Sequence, residues 1–237
     1  MGEPLIELPL VDSTNIYAMA QIKAGLAKSG SCYTADFQTN GKGQHGRVWE
    51  SSKGQNLLCS YILELNTLDA LKNWTPTDQI GFSAAIALGA RAFFAAFAGS
   101  ETKIKKPNDI YFRDRKAGGL LIENLVRGKE WTWTVIGIGM NINQSSFSSA
   151  ATNPISLQEI TKQSWDLKTM QQHLTDALNM AIQDWMTNGA AATLNNKPTL
   201  INTIPALINT GKGIPSIACI KLGLIPIISS SKEPVPP

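Results

Sequence analysis

The middle third of this 237-residue chain restricts its fold more than any other feature. Between Thr102 and Asn143, short apolar and β-branched runs follow one another with only turns between them. Thr102 to Lys106 alternates polar and apolar residues, and Pro107 stops it. Asp109 to Phe112 reads as a second short strand, and Arg113-Asp114-Arg115-Lys116 as a turn. Gly119 to Val126 and Trp131 to Asn143 then read as a hairpin around Arg127-Gly128-Lys129. Alternation points Leu120 and Ile122 inward and places Trp131 and Trp133 on one face.

The flanks supply helices and two more strands. Asp12-Ser13-Thr14-Asn15 offers N-caps for a helix to about Leu26, after a short apolar start from Leu5 to Val11. Ser31 to Phe37 and Leu57 to Leu65 read as strands. Thr77-Asp78 opens a long helix to about Ala98. Its Phe82 to Ala98 run is Ala-rich and carries Arg91, which fits a buried helix better than a membrane span. Ser145 to Asn153 is a Ser- and Ala-rich loop, and Ser156 with Glu159 makes a capping box. A last amphipathic helix spans about Leu167 to Met186, with Met170, Leu174, Leu178, Ala181, Ile182 and Trp185 along one stripe.

Beyond Gly189 the texture changes. The only charged residues there are Lys197, Lys212, Lys221, Lys232 and Glu233, and Pro198, Pro205, Pro215 and Pro226 preclude a long helix. The formal net charge of +3 therefore belongs to this tail, and residues 1–189 are neutral. So mild a balance does not argue for nucleic acid as a partner. Cys32, Cys59 and Cys219 form no CxxC pair, which disfavours a cysteine zinc site or a disulfide framework and fits a reducing, cytoplasmic setting. Glu3, Pro4 and Glu7 interrupt any secretory signal.

Three constellations carry chemistry. In Gln38-Thr39-Asn40-Gly41-Lys42-Gly43-Gln44-His45-Gly46-Arg47-Val48-Trp49, closely spaced glycines let the backbone approach a ligand, Lys42 and Arg47 add positive charge, and Trp49 offers a flat face. The spacing is neither GxxxxGK[ST] nor GxGxxG. These residues alone fit a mobile surface loop as well as an anion-binding one. Lys105-Lys106-Pro107-Asn108-Asp109, with Lys116-Ala117-Gly118-Gly119, has the chemistry of a plain strand–turn–strand. The alternative is that Asp109 holds a metal while Lys105 and Lys116 face an anionic site. In Gly137-Ile138-Gly139-Met140-Asn141, strand glycines mark a bulge or a close approach, beside which Asn141 can read an amide or a base. His45 reads as an exposed loop histidine and His173 as structural.

In this order, Asp12 to Asn15, Gln38 to Trp49, Lys105 to Ile110, Asp114 to Glu123 and Gly137 to Asn141 resemble the biotin protein ligases, or biotin–[carboxylase] ligases. The resemblance spans about residues 5 to 190. It implies an α+β catalytic domain over 1–189, with a mixed, largely antiparallel sheet and flanking helices, like class II synthetases. It also implies a C-terminal SH3-like barrel, which 190–237 does not look like; that stretch reads as a frameshifted or diverged tail, or as a low-charge, partly disordered one.

The implied reaction has two steps. Biotin and MgATP give biotinyl-5′-adenylate and pyrophosphate; a lysine of a biotin carboxyl carrier domain then takes the biotinyl group and releases AMP. By the resemblance, Ser13, Thr14, Asn15 and Gln38 meet the ureido end of biotin. Gly41, Lys42 and Gly43 close over its tail and the α-phosphate, and Gly119 and Gly137 line its pocket. Lys116, Arg47 and Lys105 are the catalytic cations. Trp49, Asn108, Asn141 and Arg47 serve ATP, and Asp109 the Mg²⁺.

Two positions depart from the family pattern: Gln44 stands where Arg or Lys is common, and Lys106 where Trp is common. The first motif begins at Asp12, leaving no room for an N-terminal helix-turn-helix, so the expectation is a ligase without DNA binding or membrane attachment; a homodimer is compatible. The alternatives are a lipoate–protein ligase, which the Gly-Lys-Gly-Gln-His-Gly-Arg-Val-Trp loop disfavours, and a non-catalytic binder of biotin or its adenylate.

Overall fold

In a computed structural model we describe residues 1–65, 78–105, 107–149, 151 and 153–195. The strand-rich middle forms one side of a seven-stranded sheet of order β1-β2-β3-β7-β6-β5-β4. The strands are β1 (Leu5–Leu8), β2 (Cys32–Ala35), β3 (Leu57–Glu64), β4 (Thr102–Lys105), β5 (Asp109–Phe112), β6 (Arg115–Arg127) and β7 (Glu130–Met140). The helices are α1 (Thr14–Lys23), α2 (Gln79–Ala98), α3 (Leu157–Thr161) and α4 (Leu167–Asn195). Only β1 and β2 pair in parallel; every other neighbouring pair is antiparallel. The expected mixed, largely antiparallel sheet with flanking helices is the fold observed.

Strand alternation sorts the two faces. Cys59, Tyr61 and Leu63 of β3, Leu120 and Ile122 of β6, and Ile136, Ile138 and Met140 of β7 point to one side. There they join the main core with α2 and the apolar stripe of α4. Among the described residues α2 is the one helix with the length and hydropathy to cross a bilayer. Its Phe82, Ile86, Phe93 and Phe94 are wholly buried in that core, as expected. The opposite face carries a small cluster of Ala18, Tyr33, Ile62 and Val135, against which Tyr17, Met19 and Ile22 of α1 pack. The site lies on this second face, where the first residues of α1, Thr14 and Asn15, reach it.

Local chemistry explains several boundaries. Ser156 Oγ accepts from Glu159 N at 3.2 Å and Glu159 Oε2 accepts from Ser156 N at 3.2 Å, completing the capping box of α3. At α1, Ser13 makes no side-chain cap. Its N–H donates to Asp12 Oδ1 at 2.6 Å instead, while Thr14 N donates across the fold to Gln38 Oε1 at 2.8 Å.

Some expectations are corrected. The turn after β5 is only Arg113-Asp114, with Arg113 at φ 54°; Arg115 and Lys116 already belong to β6, pulled into it by pairing with Phe112 and Tyr111. Trp131 and Trp133 face opposite sides: a register shift inserts one residue between them, pairing Val126 with Trp131 and Leu125 with Trp133. That bulge turns Trp131 into the main core and leaves Trp133 on the α1 side. Leu5–Leu8 is a strand, and α4 extends past Met186. Lys106 and the tail from 196 onward, where the barrel was expected, lie outside the described residues.

Candidate active site

The register of the sheet builds the site's floor. Asp109, Gly119, Gly139 and Leu58 stand in one row across β5, β6, β7 and β3; Leu121, Gly137 and Ser60 stand in the next. Three of these seven are glycines, so the row of side chains is interrupted by a trough. A Cβ at position 137 would collide with Asn15 Oδ1 and lie 2.8 Å from Asn15 Cγ. A Cβ at 139 would lie 2.7 Å from Trp49 Cζ2 and Nε1. The Gly137 and Gly139 positions thus admit one polar and one aromatic side chain directly onto the backbone.

The polar end is a network of neutral groups backed by the Glu123 carboxylate, which does not line the cavity. Ser60 Oγ, fully buried, lies 2.8 Å from Thr14 Oγ1 and 2.5 Å from Asn15 Oδ1. Thr14 Oγ1 donates to Gln38 Oε1 at 3.1 Å. Asn15 Nδ2 donates to Leu121 O at 3.2 Å and to Glu123 Oε2 at 2.8 Å. A ligand reaching this end meets both donors and acceptors but no bare charge.

The glycine-rich segment is a small hairpin. Lys42 bridges Val48 antiparallel, Gly43 N donates to Arg47 O at 2.7 Å, and Trp49 N donates to Gly41 O at 2.7 Å. Gln44–Gly46 forms the single 3₁₀ turn at the tip, with His45 at φ 54° and exposed. Thr39 N to Val11 O and Asn40 N to Asp12 O, both 2.9 Å, stitch its base to the segment before α1. The hairpin roofs the trough and lowers Trp49 onto Gly139 and Gly119. There the indole Nε1 is buried with no hydrogen-bond partner.

Cations gather at this second end. Lys116 Nζ is 2.8 Å from Asp109 Oδ1 and 5.7 Å from the Trp49 ring centroid. Lys42 Nζ is 2.6 Å from Glu123 Oε1. Lys105 Nζ sits 4.8 Å from the Tyr111 ring centroid and donates to Tyr111 Oη at 3.4 Å. Among the described residues, no hydrogen bond or ion pair holds the Arg47 side chain. Among the described residues, the resulting cavity of about 1080 Å³ is lined by Lys42, Arg47, Lys105 and Lys116 against only Glu50 and Asp109. No cluster of three or more His, Cys, Asp or Glu able to cage a metal exists among the described residues. So few carboxylates, Asp109 among them, suit an ion that arrives on substrate phosphates and takes one or two protein carboxylates.

Of the residues given a substrate, catalytic or metal role by the resemblance, all but Gly41 line this cavity. A Cβ at Gly41 would meet the Trp49 carbonyl and lie 2.8 Å from Gln38 Nε2, so Gly41 serves the hairpin's closure. Asn108 and Asn141 line it while spending their amides on the frame. Asn108 Nδ2 donates to Leu120 O, and Asn141 Nδ2 to Lys116 O at 3.3 Å and Ile155 O at 3.2 Å. Lys116 O also accepts from Ile155 N at 2.8 Å, so Asn141→Ala strands the Ile155 carbonyl and is expected to cost about 1–3 kcal/mol, read by denaturant unfolding. Sequence reasoning assigned no role to Ser60, Tyr111, Phe147 or Glu123. Ser60 and Glu123 did leave a signal, as the single polar residue in Leu57–Leu63 and the single acid in Leu120–Val126.

Known proteins resemble this chain in sequence and in fold. Over 205 residues the chain is 31% identical to the bifunctional ligase/repressor BirA of Escherichia coli (strain K12), covering 86% of this chain and 61% of that protein. It thus spans less than two thirds of that relative. It is 30% identical over 183 residues to a biotin–[acetyl-CoA-carboxylase] ligase of Paracoccus denitrificans, covering 75% of this chain and 71% of that one. The fold superposes on the biotin protein ligase from Aquifex aeolicus, solved in complex with biotin and ATP, with a TM-score of 0.67 at 23% identity, over 84% of this chain and 79% of that one. The family model for the biotin/lipoate A/B protein ligase family matches residues 7–141, the stretch that holds the trough, the hairpin and all four cavity cations. The chain belongs to the biotin/lipoate A/B protein ligase family.

Proposed function

We propose that this chain is an ATP-dependent biotin–protein ligase of the biotin–[acetyl-CoA-carboxylase] type. The observation that carries the reading is a single cavity with two chemically different ends: a neutral network of donors and acceptors, and a cluster of cations. A ureido ring carries both N–H donors and a carbonyl acceptor and satisfies Thr14, Asn15, Gln38 and Ser60. The dithiolane of lipoate has neither and gains no hydrogen bond from these groups, which favours the ureido ring.

At the other end two anions must meet: the biotin carboxylate and the α-phosphate of ATP. Their repulsion is offset by charges placed beforehand. Lys116, between Asp109 and Trp49, holds the attacking carboxylate oxygen against the α-phosphorus. Arg47 and Lys105 take the phosphate oxygens, and Lys42 with the Gly43 backbone covers the acyl phosphate. Trp49 and Asn108 serve the nucleotide, with Gly119 giving the indole its seat and Asn141 framing that end. Asp109 is the carboxylate that would hold a Mg²⁺ arriving with ATP, and such an ion would supply screening of the phosphate charge. In the first step the carboxylate oxygen bonds to phosphorus and pyrophosphate leaves. In the second, the carrier lysine's neutral amine attacks the acyl carbon, AMP leaves with the bonding electrons, and the amine loses a proton.

The carrier is proposed to be the biotin carboxyl carrier domain of a carboxylase, in the cytoplasm, where Cys32 and Cys59 stay free thiols. The test is incubation with biotin, MgATP and such a domain. The expected result is pyrophosphate release and a biotinyl mass gain on one carrier lysine. Adenylation of lipoate instead, or pyrophosphate release with no carrier product, would replace the proposal by one of the two alternatives.

Gln44 bears on retention of the intermediate. It lines the cavity as a neutral amide, and a guanidinium bonds phosphate more strongly. Gln44→Arg is expected to slow adenylate release by about fivefold to tenfold, measured by chasing preformed adenylate. Equal release rates would remove Gln44 from that role.

A further inference from the structure

Glu123 places a carboxylate beside a site built to attract anions, which on charge alone is unfavourable. Its two oxygens are nevertheless both committed, and to different elements. Oε1 is 2.6 Å from Lys42 Nζ on the hairpin, and Oε2 accepts from Asn15 Nδ2 on α1 at 2.8 Å. Asn15 continues the chain to Ser60 at the polar floor. Glu123 itself does not line the cavity. Elsewhere the hairpin is held by backbone hydrogen bonds at its base and by the seat of Trp49. Lys42–Glu123 is the ion pair that ties it to the sheet among the described residues.

We propose that Glu123 is a positioning residue that couples the ring-binding floor to the hairpin: it orients Lys42 over the cavity through one oxygen and Asn15 through the other, so that occupation of the floor strengthens the hairpin's hold on the bound adenylate. The proposal rests on the biotin–ATP reading for its ligand, but the geometry of the coupling is a property of the ligand-free chain. A ligand that engages Asn15 narrows the positions open to that amide. Glu123 is then ordered, and through it Lys42 and the hairpin's first strand. Loss of Glu123 frees Lys42 without removing any atom that lines the cavity.

The experiment compares wild type, Glu123→Gln, Glu123→Asp, Lys42→Met and the double variant Glu123→Gln/Lys42→Met. Release of preformed biotinyl-adenylate is expected to be about fivefold faster in Glu123→Gln, the size of a partly exposed ion pair. The effect should be partly restored in Glu123→Asp and absent in the Lys42→Met background. Amide exchange at Gly43 and Trp49, both bonded within the hairpin, is expected to rise by a similar factor in ligand-free Glu123→Gln. Unchanged exchange and unchanged release in Glu123→Gln would overturn the inference, as would an equal effect of Glu123→Gln with and without Lys42, which would mean that Glu123 acts on Asn15 alone. A wild type that forms no adenylate from biotin would overturn the functional reading instead, and the exchange measurement would still decide the coupling.

Discussion

Replacing Lys116 with methionine is expected to slow adenylate formation by on the order of 10²–10³-fold, read as pyrophosphate release at saturating biotin and MgATP. Two penalties combine. The ammonium disappears from the point where negative charge meets negative charge. Asp109, 2.8 Å away in the wild type, is left unpaired and faces the same cavity. Because the charge that Lys116 offsets is greatest in the transition state, kcat falls more than KM rises. The fold is little affected: a partly exposed pair contributes at most about 1 kcal/mol. A wild-type rate in Lys116→Met would take Lys116 out of the chemistry. Asp109→Asn separates two roles of the carboxylate. As the protein carboxylate for the ion on ATP, its loss raises the Mg²⁺ concentration for half-maximal rate by about tenfold; as a mere counter-ion for Lys116, its loss leaves that concentration unchanged.

Gly137→Ala is expected to raise the KM for biotin by about 10²-fold while leaving that for ATP within about twofold, because buried polar groups left unpaired discriminate strongly. The added methyl group occupies the space of the Asn15 amide, so Asn15 must leave Ser60, Leu121 and Glu123 together. Overpacking at this spot is expected to cost about 1–3 kcal/mol of stability. Gly139→Ala makes the opposite separation: its methyl group displaces the Trp49 indole, so the KM for ATP rises and that for biotin holds. Swapped effects would mean that the cavity's ends are assigned the wrong way round, and equal effects that the two ends are not separate.

The two glycines show where legibility stops. That Gly137 and Gly139 mark a close approach follows from glycine in a strand. Which side chain approaches does not: Asn15 and Trp49 lie far away in sequence and meet the strand only because α1 and the hairpin sit on the same sheet face. The same holds for Glu123. Its place in Leu120–Val126 marks it as unusual, but its partners Lys42 and Asn15 come from two other elements. Trp131 and Trp133 failed for a different reason. Period-two alternation assumes one residue per step, and the extra residue of a bulge leaves no mark on the pattern. The turn at Arg113-Asp114 was placed too long because Arg115 and Lys116 have no strand propensity of their own; they are strand because Phe112 and Tyr111 pair with them.

Properties carried by neighbours along the chain were therefore readable from residue order: the strand-dense middle, the buried α2, the capping box of α3, and ordered motifs dense enough to identify the family. These depend on periodicity, capping and turn chemistry, which act over a few residues. The site was readable as an inventory, since nearly every candidate lines one cavity. Its arrangement was not. The separation into a neutral end and a cationic end, the pairing of Lys116 with Asp109, and the tie from hairpin to floor through Glu123 all arise from sheet register and from which face α1 covers. Register is set by pairing between distant segments, and a one-residue shift would send Asp109, Lys116 and Glu123 to the other face.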